Sequence, residues 1–194
     1  MSLDGKTIVI TGGGTGLGRE MTLAMARAGA DLVIASRRTG PIEEVAGLVR
    51  DMGRRSLAVA TDVTDSGQVD RLFKTSLGEF GKVDVLVNNA GIGHSARLHE
   101  LALDDWHRVI ETTLSSAFYA VRAAVPHMIA AGGGRIINIA SVQGLVGHRR
   151  NGAYNAAKGG VINLTRAIAL DYAADNIRCN CICPGAVETH GREA

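Results

Sequence analysis

The chain has 194 residues, with 46% apolar and 21% charged side chains, which suits one globular domain with a real core and excludes a disordered chain. Lys plus Arg number 21 against 19 Asp plus Glu, a net +2 that argues against a polyanion-binding surface, so nucleic acid is not an expected partner. Glycine is in excess, 25 of 194, without a Gly-X-Y period and with only 3 prolines, which excludes collagen and low-complexity linkers and points to close approaches of backbone to backbone or ligand.

In chain order, apolar runs rich in Val and Ile alternate with helical spacing. A strand is expected at 6–11, a helix at 16–28, a strand at 31–36 and a helix from about Pro41, a residue suited to a helix start. A strand at 55–61, a helix at 66–80 and a strand at 83–88 follow. A long helical stretch at 103–131, a strand at 135–140, a helix at 151–174 and a strand at 177–183 complete the pattern. Strands that are apolar throughout are buried on both faces, and their alternation with helices implies right-handed crossovers and a parallel sheet. The expected fold is a Rossmann-type, doubly wound α/β sheet of order 3-2-1-4-5-6 with helices on both faces, as a single domain over 1–194. Ligands on such sheets bind at the carboxyl ends of the strands, near the switch between strands 1 and 4.

No apolar run reaches about 18 residues, so no membrane span is expected. The first residues show no basic stretch followed by an apolar one, so no signal peptide is expected. Cys179, Cys181 and Cys183 suggest no disulfide framework, and a cytoplasmic location is the expectation.

The first strand runs into Thr11-Gly12-Gly13-Gly14-Thr15-Gly16-Leu17-Gly18 and then a helix. Gly12, Gly16 and Gly18 let the chain turn tightly and let a pyrophosphate approach the helix N-terminus, where free N–H groups and the dipole favour an anion. A glycine-rich string alone reads equally as a flexible turn. The strand before it, the helix after it and a second strand ending about twenty residues on point to dinucleotide binding. That second strand ends Ser36-Arg37-Arg38, without the acid that commonly binds a 2′-hydroxyl. An arginine can instead bind a 2′-phosphate, so NADP(H) is the expected cofactor, read by Ser36 and Arg37, with NAD(H) as the alternative. The plainer reading of Arg37 and Arg38 is solvated strand-end charge.

Here the sequence resembles the short-chain dehydrogenase/reductase family along almost its whole length. Thr11 to Gly18, including Thr15 and Leu17, is similar to the family's TGxxxGxG motif, and Asp62-Val63 to its adenine-contacting pair. Asn88-Asn89-Ala90-Gly91 matches NNAG, Ser141 follows the fifth strand, and Tyr154 to Lys158 is YxxxK. Pro184-Gly185, with Val187 and Thr189, resembles the PG motif near the nicotinamide. Within the family the chain looks most like 3-oxoacyl-carrier-protein reductases and polyol or sugar-acid dehydrogenases.

The resemblance implies an NADP(H)-dependent oxidoreductase interconverting a ketone and a secondary alcohol, and the residue chemistry agrees. Carbonyl reduction needs a hydride and a proton. Tyr154 and Lys158 are four apart on a helix and share a face. A free phenol has a pKa of about 10, and a nearby ammonium favours its phenolate. Ser141 would donate to the substrate oxygen. The resemblance adds that Lys158 reaches the nicotinamide ribose. It also implies a homodimer or homotetramer through the two long helices, acting on a small carbonyl or alcohol substrate. The rival class is a non-catalytic dinucleotide-binding sensor or assembly subunit.

Two departures stand out. Thr113 occupies the position where the family commonly has a catalytic asparagine, and its shorter hydroxyl is expected to slow or reroute a proton relay. The family also continues past the PG motif through a substrate lid, a helix and a last strand. With that C-terminal strand and lid missing from this sequence, which ends at Ala194, the expectation is a piece of a longer chain, and the alternative is a truncated fold. The three cysteines alternate on one strand face and read as small residues packed under a helix, with no metal site expected. His94, His148, Arg149 and Arg150 lie on loops near the site, where they read either as solvated charge or as a preference for an anionic or polyol substrate. Gln143 and His94 are candidate substrate contacts. Asp104-Asp105 reads as a helix N-cap.

Overall fold

β1 (Thr7–Thr11) is buried along its whole length, as its sequence TIVIT requires of a central strand. It pairs in parallel with β2 (Asp31–Ser36) on one side and with β4 (Val85–Asn88) on the other. β3 (Ser56–Ala60) adds outside β2, and β5 (Gly134–Ile139) and β6 (Ile177–Ile182) add outside β4. The computed structural model describes residues 2–188, and among them the sheet has six strands in the expected order β3-β2-β1-β4-β5-β6. Thr189 lies outside the described residues.

Alternation along β1 divides the core. Ile8 and Ile10 face α1 (Gly16–Arg27) and α2 (Thr39–Asp51), joining Leu23, Ile42, Val45 and Val49. Val9 faces the other layer, built from α3 (Ser66–Phe80), α5 (Ser116–Ala130) and α6 (Gly152–Asp171), where Leu72, Phe73, Val125, Met128 and Ile168 pack. Among the described residues no helix is long and apolar enough to cross a membrane.

Three local expectations are revised. α2 begins at Thr39, leaving Pro41 within the first turn, where its missing N–H costs nothing. α4 (Leu103–Ile110) is capped by the backbone of Ala102, and Asp104 and Asp105 sit in its first turn, where the dipole favours anions. The expected continuous helix over 103–131 is interrupted by a π-helical segment, Glu111–Ser115, between α4 and α5. Cys179 packs into the core, its thiol pushed up to about 12 by burial, while Cys181 and Cys183 pack beside Val161 and Ile162 of α6 with their Sγ atoms 3.9 Å apart.

Candidate active site

The turn from β1 into α1 is held by Asn89. Its Nδ2 donates to the carbonyls of Thr11 (3.1 Å) and Gly12 (3.0 Å), while Thr11 Oγ1 accepts from the N–H groups of Asn89 and Ala90, both at 3.1 Å. Gly12 takes φ +67°, and a Cβ there would press on Asn89 Nδ2 at 2.9 Å. A Cβ on Gly18 would collide with the Gly12 carbonyl oxygen. The two glycines are therefore required by the packing of this turn. Thr15 stands at the N-cap of α1 without capping it, and no acid occupies the first turn, so the helix N-terminus keeps donors for an anion.

Two adjoining cavities open along the carboxyl ends of the strands. The first, about 580 Å³, runs from Gly12, Thr15, Leu17 and Gly18 to Ser36, Arg37 and Arg38 after β2, Thr61 and Val63 after β3, and Asn89, Ala90 and Gly91 after β4. The second, about 330 Å³, shares Thr15, Leu17, Asn89 and Gly91, adds Gly16, and extends to Ser141, Tyr154, Lys158, Pro184, Gly185 and Val187. Asp62 lines neither. Its carboxylate is turned onto Thr64, accepting from the backbone N–H at 3.0 Å and from Oγ1 at 2.7 Å.

Ser141 caps a 3₁₀ turn, Val142–Gly144, by accepting the Gln143 N–H at 3.1 Å, which leaves its own O–H to donate elsewhere. Tyr154 and Lys158 lie one turn apart near the start of α6, with Lys158 Nζ 5.6 Å from the Tyr154 ring centroid. Lys158 Nζ donates to the Ile139 carbonyl at 2.6 Å. Burial pushes this ammonium down to about 8, while Cys181 and Cys183 act in the opposite direction. Thr113 is buried and lines neither of these two cavities, and its Oγ1 accepts from the Ile92 N–H and donates to the Ile92 carbonyl, both at 3.1 Å. The hydroxyl thereby holds the segment after β4.

A third cavity of about 560 Å³ lies beyond Ser141 and Tyr154 and is lined by Gln143, Val142, Val146, His148 and Asn151 among others. Gln143, a candidate substrate contact, lines this cavity, its Oε1 accepting from Asn151 Nδ2 at 3.3 Å. His94 does not line it, and its Nε2 sits 3.5 Å from Asp105 Oδ2. Thr61, Thr112 and Ile92 of the first cavity, and Asn151 and Val146 of the third, were not singled out from sequence. Only their position just after a strand or a motif could have pointed to them.

The family model for short chain dehydrogenase matches residues 6–194. The chain is 44% identical over 185 residues to cis-4-hydroxycyclohexanecarboxylate dehydrogenase from Sinomonas cyclohexanicum, covering 95% of this chain and 74% of that protein. It is 40% identical to 2-dehydro-3-deoxy-D-gluconate 5-dehydrogenase from Escherichia coli strain K12, covering 99% of this chain and 76% of that one. Among solved structures, an NAD+-bound xylitol dehydrogenase superposes with a TM-score of 0.93 at 34% identity, covering 95% of this chain and 72% of the other. With the Rossmann-type sheet in place and dehydrogenases and reductases of alcohols and ketones on every side, the chain belongs to the short-chain dehydrogenase/reductase family of oxidoreductases.

Proposed function

We propose that the protein interconverts a secondary alcohol and a ketone, with NADP(H) as the hydride carrier and NAD(H) as the alternative. The observation that carries this reading is the convergence of Ser141, Tyr154 and Lys158 on one cavity that adjoins the open N-terminus of α1. The site suits a dinucleotide: uncapped helix donors lie midway, and the two adjoining cavities give room for a half on each side. Gly12, Thr15, Gly16, Leu17 and Gly18 would hold the pyrophosphate, and Val63, Asn89, Ala90 and Gly91 the adenosine and ribose edge. Ser36, Arg37 and Arg38 end the first cavity, which no acid among the described residues lines, and this supports a 2′-phosphate there. Pro184, Gly185 and Val187 would border the nicotinamide. When bound, that ring supplies or accepts the hydride.

The remaining chemistry belongs to the protein. Tyr154 gives its phenolic proton to the carbonyl oxygen in reduction and takes it back in oxidation. Ser141, its acceptor function already used by Gln143, donates to the same oxygen. Lys158 sets a positive charge near the tyrosine and would reach the nicotinamide ribose from the same cavity. Thr113 acts at one remove, by holding Ile92. Gln143 borders the substrate. We read the protein as a cytoplasmic homodimer or homotetramer built through α5 and α6, a reading supported by the exposure of Phe118, Ile129 and Leu170 on those helices.

NADPH oxidation with a panel of cyclic and acyclic ketones tests the reaction. Tyr154→Phe should lower turnover by about 10²–10⁴-fold while NADPH binding, followed by fluorescence, is kept. Tight NADPH binding without turnover of any ketone would overturn the reading.

A further inference from the structure

The loop between the 3₁₀ turn and α6 is tied down at several points. Asn151 Nδ2 lies 3.3 Å from Gln143 Oε1 and 3.2 Å from His148 Nδ1, and Asn155 Nδ2 donates to the His148 carbonyl at 3.0 Å. Arg150 is held at φ +62°, a left-handed conformation that a residue with a Cβ rarely takes without support from its surroundings. That support comes from across the site: the Arg150 carbonyl accepts the Ala96 N–H at 2.8 Å, and Ala96 bridges in parallel to Asn151. The bridge brings Arg97 beside Arg149 and Arg150, and among the described residues these three exposed arginines line an open surface depression of about 430 Å³.

Three like charges gathered around one space repel each other. Among the described residues the carboxylate that answers them is Glu100, 4.0 Å from Arg97 Nη1, and Arg149 and Arg150 have no carboxylate within ion-pair distance. The two neighbours of this pair in sequence, His148 and Asn151, line the third cavity together with Ser141 and Tyr154. The arginines themselves do not line that cavity; Arg149 and Arg150 follow directly along the chain from a residue that does, and Val142 and Val146 give it an apolar wall. The planar, five-donor guanidinium matches a carboxylate in two-point fashion.

We propose that Arg97, Arg149 and Arg150 bind the carboxylate of an anionic substrate, a hydroxy or keto acid whose apolar body separates that carboxylate from the carbon that reacts at Tyr154. The substrate class rests on the reading of Ser141, Tyr154 and Lys158 as the reacting centre. It is tested without turnover, so failure of one is distinguishable from failure of the other. Cyclohexanecarboxylate and its neutral carboxamide are titrated calorimetrically into the protein saturated with NADP+. The carboxylate should bind about tenfold or more tightly than the amide at low salt, with the gap narrowing as ionic strength rises. Arg149→Ala and Arg97→Ala should each erode that gap, and so should Arg150→Gly, which keeps the left-handed backbone accessible. Equal binding of acid and amide, no binding of the acid, or a gap that survives all three substitutions would overturn the proposal. Arginine-dependent binding of poly-L-glutamate without binding of cyclohexanecarboxylate would overturn it as well, in favour of a macromolecular polyanion.

Discussion

Arg37 stands where two cofactor chemistries part. At the end of β2 an acid would bind a ribose hydroxyl, whereas a guanidinium forms charge-assisted bonds to a phosphate, each worth about 1.5–3 kcal/mol. Arg37→Asp should therefore move the ratio of NADPH to NADH affinity toward NADH by about tenfold or more, measured as two dissociation constants. An unchanged ratio would remove Arg37 from cofactor choice. At this scale the sequence is readable where the partners are close along the chain: Tyr154 and Lys158 share a helix face, and Ser141 caps its own turn through Gln143. It is silent where the partner is distant. Nothing near His94 in the sequence shows that Asp105 takes up its ring, and nothing near Arg97 shows that Arg149 and Arg150 will join it through the Ala96–Asn151 bridge.

Element boundaries were legible where the chain carries its own stop signals. α3 runs over its expected residues because Asp65 accepts the Gly67 and Gln68 N–H groups at one end and Gly81 turns left-handed at φ +75° at the other. The π-helical segment was not legible, because it is only five residues long and lies between two α-helices, so the whole stretch reads as helical. It is nonetheless the segment that carries Thr113, whose single hydroxyl satisfies both backbone polar groups of Ile92. Thr113→Val removes both bonds while keeping the shape. It should lower stability by about 1–3 kcal/mol in urea unfolding and raise the KM for cofactor more than it lowers kcat. Thr113→Ser, which keeps the hydroxyl, should restore both. Loss of kcat alone, with stability and KM unchanged, would favour a relay role for the hydroxyl instead.

For the molecule as a whole, strand order and the two-layer core followed from all-apolar strands alternating with helices, and the structure carries both. Burial of Lys158 leaves a mark on global stability. Its ammonium loses protons near pH 8 in the folded protein and near 10.5 when unfolded. Between these values the unfolded chain binds more protons, so folding becomes more favourable as pH rises. The destabilisation is fully present below about pH 8 and is relieved by 10.5. Over that interval the change is about 3 kcal/mol at about 1.4 kcal/mol per pH unit. Urea unfolding of the cofactor-free protein across this range should show the rise, and Lys158→Met should flatten it. An equal slope in both proteins would assign the rise to other groups. The sheet order has a kinetic corollary. Ile8 of β1 pairs with Val85 of β4, 85 − 8 = 77 positions later, and the cleft that would hold a dinucleotide opens between these two strands. A chain in which β4 has not yet docked beside β1 cannot contain that cleft. A dinucleotide therefore engages only molecules in which the two halves of the sheet have already docked, and it acts on folding by withdrawing finished molecules from the equilibrium, without templating unfinished ones.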